Sequence, residues 1–100
     1  MTVKYTILFP QGAIFDLDHY VKVHMPMLAK FFPSTFLSWE VFSLPEDAPY
    51  AIETHVEWTS QEAFEAINQT EEGKKVFADV PNFSKKPPIF MKCQPVASGP

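Results

Sequence analysis

The hydrophobic period of this chain changes along its length, and the order of the changes constrains the fold more than any other feature. From Thr2 to Phe9 it alternates. Val3, Tyr5, Ile7 and Phe9 face one way, with Thr2, Lys4 and Thr6 opposite, the pattern of a half-buried strand closed by Pro10-Gln11-Gly12. Asp16 stands where a helix N-cap belongs. Behind it Leu17, Tyr20, Val21, His24, Met27, Leu28 and Phe31 recur at steps of three and four, the stripe of a core-facing helix. Phe36 to Leu44 returns to strand character and is apolar on both sides, with Leu37, Trp39 and Val41 expected on one and Phe36, Phe42 and Leu44 on the other. Tyr50 to Trp58 alternates, Ile52, Thr54, Val56 and Trp58 opposing Glu53, His55 and Glu57. Thr59-Ser60-Gln61-Glu62 reads as a capping box before a short helix with Ala63, Phe64 and Ile67 inward. A second helical stretch is expected from Thr70 to about Val80, and a last strand from Ile89 to Gln94.

The order strand, helix, strand, strand, helix, strand is the split pattern of a ferredoxin-like βαββαβ fold, an α+β architecture with a four-stranded antiparallel sheet. Right-handed crossovers put both helical layers on one face of that sheet. The other face is then bare, although the second strand carries apolar residues on both sides. A second copy of the chain is the simplest cover, so a homodimer is expected.

Length and composition narrow the reading. One hundred residues make a single domain, taken as 1–96, with 97–100 as a frayed tail. Ten Phe, three Tyr and two Trp are more large rings than a thin core needs, which points to a second apolar surface, at an interface or in a pocket. A net charge of −4 with no basic patch argues against nucleic acid and against an anionic membrane. Cys93 is the single cysteine, so an internal disulfide and a multi-cysteine zinc site are excluded. The early apolar run Ile7-Leu8-Phe9 is too short for a signal peptide or a membrane span, and a cytoplasmic protein is expected. Three glycines supply neither a phosphate loop nor a nucleotide fingerprint.

His24 is the first candidate for chemistry. It lies on the apolar stripe of the first helix, one turn after Tyr20 and beside Pro26. A proline there cannot bond the carbonyl of Lys22, so the helix either kinks or stops near His24 and restarts with Pro26 in a first-turn position. A titratable group beside such a break suits general acid–base work, against the plainer alternative of a core histidine bonded to a freed carbonyl or a tyrosine. His55 between Glu53 and Glu57 has the strand spacing to share a metal, but a solvated or interface face is the better reading, and no metal is expected. His19, beside Asp18, reads as a surface residue. Trp39, Trp58, Phe83 and Tyr5 are candidate pocket walls, and Cys93 reads as a small hydrophobe.

Phe15-Asp16-Leu17-Asp18-His19-Tyr20 followed by His24-Met25-Pro26-Met27 resembles the EthD family, named for ethyl tert-butyl ether degradation. The Tyr-x-x-x-His-Met-Pro block is the specific part of the likeness. Trp39-Glu40-Val41, Trp58 with Ser60, Ala63-Phe64, and Asp79-Val80-Pro81-Asn82-Phe83 extend it along almost the whole chain. The resemblance implies a dimeric α+β barrel, in which two sheets pack face to face, and a cleft into which His24 points. Family function is poorly defined: the founding member belongs to an operon with a cytochrome P450 system, and fungal relatives include dehydratase- or decarboxylase-like proteins of polyketide pathways. Methylmuconolactone isomerases are more distant relatives that work by acid–base chemistry without a cofactor. They use a cysteine on the third strand, where this chain has Val56 or a neighbour, which counts against the same reaction.

Three functions follow in order of preference. The first is a cofactor-free enzyme acting on a small apolar carbonyl, aromatic or lactone compound, of isomerase, dehydratase or decarboxylase type. His24 moves the proton, Tyr20 orients His24 or the ligand, and Met27, Trp39, Trp58, Phe83 and Tyr5 bind. The second is a non-catalytic binder or accessory protein of an oxidative pathway. The third is a haem- or metal-using protein with His24 or His55 as ligand.

Overall fold

The computed structural model describes residues 2–12 and 14–100. Four strands, β1 (Val3–Pro10), β2 (Phe36–Ser43), β3 (Tyr50–Trp58) and β4 (Ile89–Cys93), form one antiparallel sheet in the order β2-β3-β1-β4. Helices α1 (Leu17–His19) and α2 (Met25–Phe31) lie in the first crossover, and α3 (Gln61–Ala66) and α4 (Glu71–Asp79) in the second. This is the ferredoxin-like α+β arrangement that the changes of period dictate. Met1, where the expected domain begins, lies outside the described residues.

Each turn into and out of these elements has a local cause. Gly12 follows β1 with φ of 76°, a conformation that favours glycine because it has no Cβ. Asp16 caps α1 by accepting the His19 N–H at 3.0 Å. Ser60 caps α3 by accepting the Ala63 N–H at 3.0 Å. The cap therefore falls one residue after Thr59, and the Thr59–Glu62 capping box does not form. Thr70 caps α4 through Gly73 N–H.

Pro26 decides the middle of the first crossover. Residues Tyr20–His24 wind as a π-helix, and the Met25 N–H reaches the Tyr20 carbonyl. The α-helical register restarts at Met25 with Pro26 in its first turn. The widened turn sits just before the proline, which has no N–H to donate. The rod continues without stopping, but its register shifts at His24.

The sheet divides the side chains cleanly. Val3, Tyr5, Ile7 and Phe9 of β1 and Ile52, Thr54, Val56 and Trp58 of β3 are buried under the helices. On β2 a register shift between Phe36 and Ser38 corrects the expected sidedness. Phe36 pairs with Trp58, Trp39 with Val56 and Val41 with Thr54, so Phe36 joins the helix-facing side and is 5% exposed. The extra residue lets Leu37 turn outward, as a bulge does. The opposite sheet face carries Glu53, His55 and Phe42 and, on β4, Ile89 and Met91. Phe42, Ile89 and Met91 are each about two-fifths exposed on a face that no helix covers. Among the described residues, no helix is long and apolar enough to cross a membrane.

Candidate functional site

The layer between sheet and helices is hollow. A cavity of 320 Å³ lies among β1, β3, the π-helical turn, α2 and the second crossover, bounded by Ile7, Phe9, Tyr20, His24, Met25, Leu28, Phe36, Val56, Trp58, Phe64, Ile67, Val76, Phe77, Val80, Phe83, Pro88 and Phe90. Protein cores seldom leave voids much larger than a water molecule, and this volume falls instead in the range of small-ligand pockets. Phe77 and Phe90, each more than two-fifths exposed, mark where it reaches the surface. Its walls are almost wholly carbon, and only Tyr20, His24 and Trp58 among them have polar side-chain atoms.

His24 is brought to this cavity by the π-helical turn. It is 6% exposed and packs against Phe83, with ring centroids 4.5 Å apart, and against Tyr20 at 5.6 Å and 17°. Its Nδ1 lies 3.0 Å from Asp79 Oδ2, at the end of α4. The same carboxylate meets His19 Nε2 at 2.9 and 3.0 Å and accepts from Asn82 Nδ2 at 2.9 Å. An ionised carboxylate can only accept, so each histidine donates the ring N–H that faces it. Neutral His24 is thereby held as its Nδ1–H tautomer. Its Nε2 lone pair has no hydrogen-bond partner among the described residues.

Two main-chain links hold this assembly in register. Asp16 N–H donates to the Phe83 carbonyl at 2.7 Å, and Phe15 bridges Ser84 in antiparallel fashion. They bind the start of α1 to the segment just after α4, so the histidines of one crossover meet the aspartate of the other.

The electrostatics agree with this protonation pattern. Burial pushes the His24 imidazole below its ordinary value, against the opposing hydrogen bond and charge of Asp79, so the neutral base is favoured. Burial alone raises the Asp79 carboxyl, but the hydrogen bonds from Asn82, His19 and His24 together outweigh it and hold the group below its usual range. Tyr20 is pushed up to about 12 by burial and stays a neutral phenol. Its hydroxyl is 2.7 Å from Thr54 Oγ1 and makes no bond to His24.

The structure assembles some of the expected site residues and separates others. His24, Tyr20, Trp58 and Phe83 border the cavity. Met27 is partly buried against the core but is not part of the cavity wall, and Trp39 lies similarly on edge strand β2. Tyr5 is buried with its ring 4.4 Å from that of Phe64, behind the wall. His19, read from sequence as a surface residue, is only partly exposed and is bound to Asp79. Asp79 itself carries no signal of its role in the sequence beyond its place in the Asp79-Val80-Pro81-Asn82-Phe83 block. Its partners are 55 and 60 residues away. On the far sheet face His55 Nε2 pairs with Glu53 at 2.5 Å, exposed and remote from the cavity. No group of three or more His, Cys, Asp or Glu suited to a metal ion occurs among the described residues.

No protein-family model matches this sequence, and a search of curated proteins found no significant match. Solved structures do match. An EthD-like protein from Ralstonia eutropha JMP134 aligns with a TM-score of 0.80 at 21% identity, over 98% of this chain and 95% of its own. SnoaB from Streptomyces nogalater, described as a cofactor-independent oxygenase, aligns at 0.73 and 13% identity, over 99% and 97%. A dimeric ferredoxin-like protein from Jannaschia sp. CCS1 aligns at 0.66 and 9% identity, over 94% and 99%. The chain thus has the fold of the EthD-like proteins, the group whose Tyr-x-x-x-His-Met-Pro block its residues Tyr20 to Pro26 resemble.

Proposed function

We propose that this chain is a homodimeric EthD-type protein that binds a small, largely apolar carbonyl, aromatic or lactone compound in the cavity beside His24, and that His24 acts there as a general base without a resident cofactor. One observation carries this reading. His24 Nδ1 is fixed by Asp79, while Nε2, free of protein partners among the described residues, belongs to a residue of an apolar wall. A carboxylate behind an imidazole fixes its tautomer and stabilises the cation that forms when Nε2 takes a proton, and proton transfer by a placed histidine is worth roughly 10²–10⁴ in rate. His19, partly exposed on the other side of Asp79, connects the buried pair to solvent. The oxygenase among the fold neighbours supports the idea that this architecture hosts chemistry without a cofactor. The uncovered apolar residues Phe42, Ile89 and Met91, and the dimeric neighbour, support pairing through the open sheet face. The free thiol of Cys93 fits a cytoplasmic setting.

A second reading, a binder or accessory protein without turnover, is favoured by one feature. Tyr20 is committed to Thr54, which leaves His24 as the one proton-transferring group in the wall. An NMR titration of the three imidazoles with aromatic, lactone and short ether compounds tests both. Saturable shifts at His24, with His55 unchanged, support the cavity as the binding site. Loss of product on His24→Gln with binding retained supports catalysis, and binding with no product in wild type favours the binder. If no compound perturbs His24, both readings fail.

A further inference from the structure

His19 and His24 are five residues apart and meet one carboxylate. A regular α-helix would not bring them there. At about 100° per residue, two positions five apart point about 140° away from each other. The π-helical turn Tyr20–His24 narrows that angle, because the bond from Met25 N–H to the Tyr20 carbonyl spans five residues and the turn takes up an extra one. Both imidazoles then reach the same atom. His19 Nε2 and His24 Nδ1 are each 3.0 Å from Asp79 Oδ2, and so at most twice that distance from each other. The ring of Phe83 lies 4.5 Å from that of His24 and 6.3 Å, at 22°, from that of His19. Burial separates the two: the His19 side chain is 26% exposed and that of His24 7%.

The charges that act on this cluster are its own. Asp16 accepts the His19 main-chain N–H, Asp18 pairs with Lys22 and Glu71 with Lys74, and Lys85 donates to the Pro81 carbonyl. Glu72, Lys75 and Lys86 are exposed, and Tyr20 is a neutral phenol. Among the described residues, none of these side chains bonds to either imidazole or to the Asp79 carboxylate. Burial is the chief cause that lowers His24, Asp79 opposes it, and the charge of His19 lowers it further.

We propose that His19 is the control residue of this site: Asp79 serves one imidazolium at a time, and a proton that His19 takes from water commits the carboxylate to His19 and weakens His24 as a base. The inference rests on His24 being the base of the proposed reaction and adds its regulation. Histidine is the side chain that changes charge between pH 5 and 8, and His19 is the member of the pair that water reaches. While His19 is neutral, Asp79 is available to stabilise the His24 imidazolium formed in turnover. Once His19 is charged, a second cation beside the same oxygen is opposed by repulsion. Proton transfer to His24 then slows in mild acid while His24 itself is still neutral.

Imidazole NMR titration of the ligand-free chain tests this. In the wild type, His19 and His24 are expected to move together in two steps, the mark of two sites coupled by about one pH unit or more. In His19→Gln, whose amide N–H can still donate to Asp79, the midpoint of His24 is expected to rise by about one pH unit. Linkage requires His24→Gln to move the His19 midpoint equally. A His19 that only braces Asp79 would be replaced by Gln without moving the His24 midpoint, and that result overturns the inference. Independent single-step curves in the wild type overturn it even where a variant fails to fold, and the cavity reading then rests on the ligand panel alone. If the histidines are coupled but no compound perturbs His24, the functional reading fails and the switch fails with it.

Discussion

Asp79→Asn is the perturbation that bears most directly on the site. The carboxylate accepts from His24 at 3.0 Å, from His19 at 2.9 and 3.0 Å and from Asn82 at 2.9 Å. An amide of the same shape keeps one accepting oxygen and turns the other position into a donor, so an imidazole N–H that faced oxygen now faces N–H. Two charge-assisted hydrogen bonds at about 1.5–3 kcal/mol each are weakened, and the cost of burying a carboxylate is relieved in part, which leaves a net loss of about 2–3 kcal/mol. For a chain of this length that lowers Tm by roughly 10–20 °C. The more informative effect is on tautomer. With a donor facing Nδ1, His24 is expected to move its proton to Nε2, and the free Nε2 lone pair is lost. Thermal unfolding measures the first effect and long-range ¹H–¹⁵N spectra of the imidazoles measure the second. If the variant keeps its Tm within about 3 °C and His24 keeps the Nδ1–H form, the role given to Asp79 is wrong.

Other predictions follow from the same contacts. Burial holds His24 below its ordinary value of 6.5, so the native state binds fewer protons than the unfolded chain below that pH. Its contribution is full above about pH 6.5 and is lost as the pH falls through the lowered native value; urea midpoints at pH 7.5 and 5 should show it, and His24→Gln should remove it. Asp79 acts in the same direction at more acid pH, its contribution present above 3.8 and lost as its lowered native value is passed. Gly73→Ala would put a Cβ 1.8 Å from the Ile67 carbonyl oxygen, and a loss of at least about 1–3 kcal/mol in denaturant unfolding is expected as α4 is pushed off the preceding turn. Met91→Lys on the open sheet face should shift the chain from dimer to monomer in sedimentation experiments while the His24 signals stay unchanged. A variant that stays dimeric would remove that face as the interface.

The fold was legible because it is written in local periods. Alternation at Val3 to Phe9 and at Tyr50 to Trp58, and the three-and-four stripe from Leu17 to Phe31, each depend only on near neighbours and on one buried side. The Tyr-x-x-x-His-Met-Pro block drew attention to His24 for a similar reason, since a proline and a titratable group on an apolar stripe conflict locally. The tertiary structure decided what such patterns do not encode. It brought Asp79 to His24 and His19 across 55 and 60 residues, and so converted an apparent surface histidine into part of a buried network. It inserted a residue between Phe36 and Ser38, which reversed the side that Phe36 faces. It left Met27, Trp39 and Tyr5 outside the cavity beside His24, although the helix stripe and the strand pattern gave them equal claim to line it, because whether a side chain bounds a void or fills it depends on packing from the opposite layer. Outside β2 the sequence by itself determined which strand residues turn inward; only the meeting of the two crossovers decided which of those surround empty space.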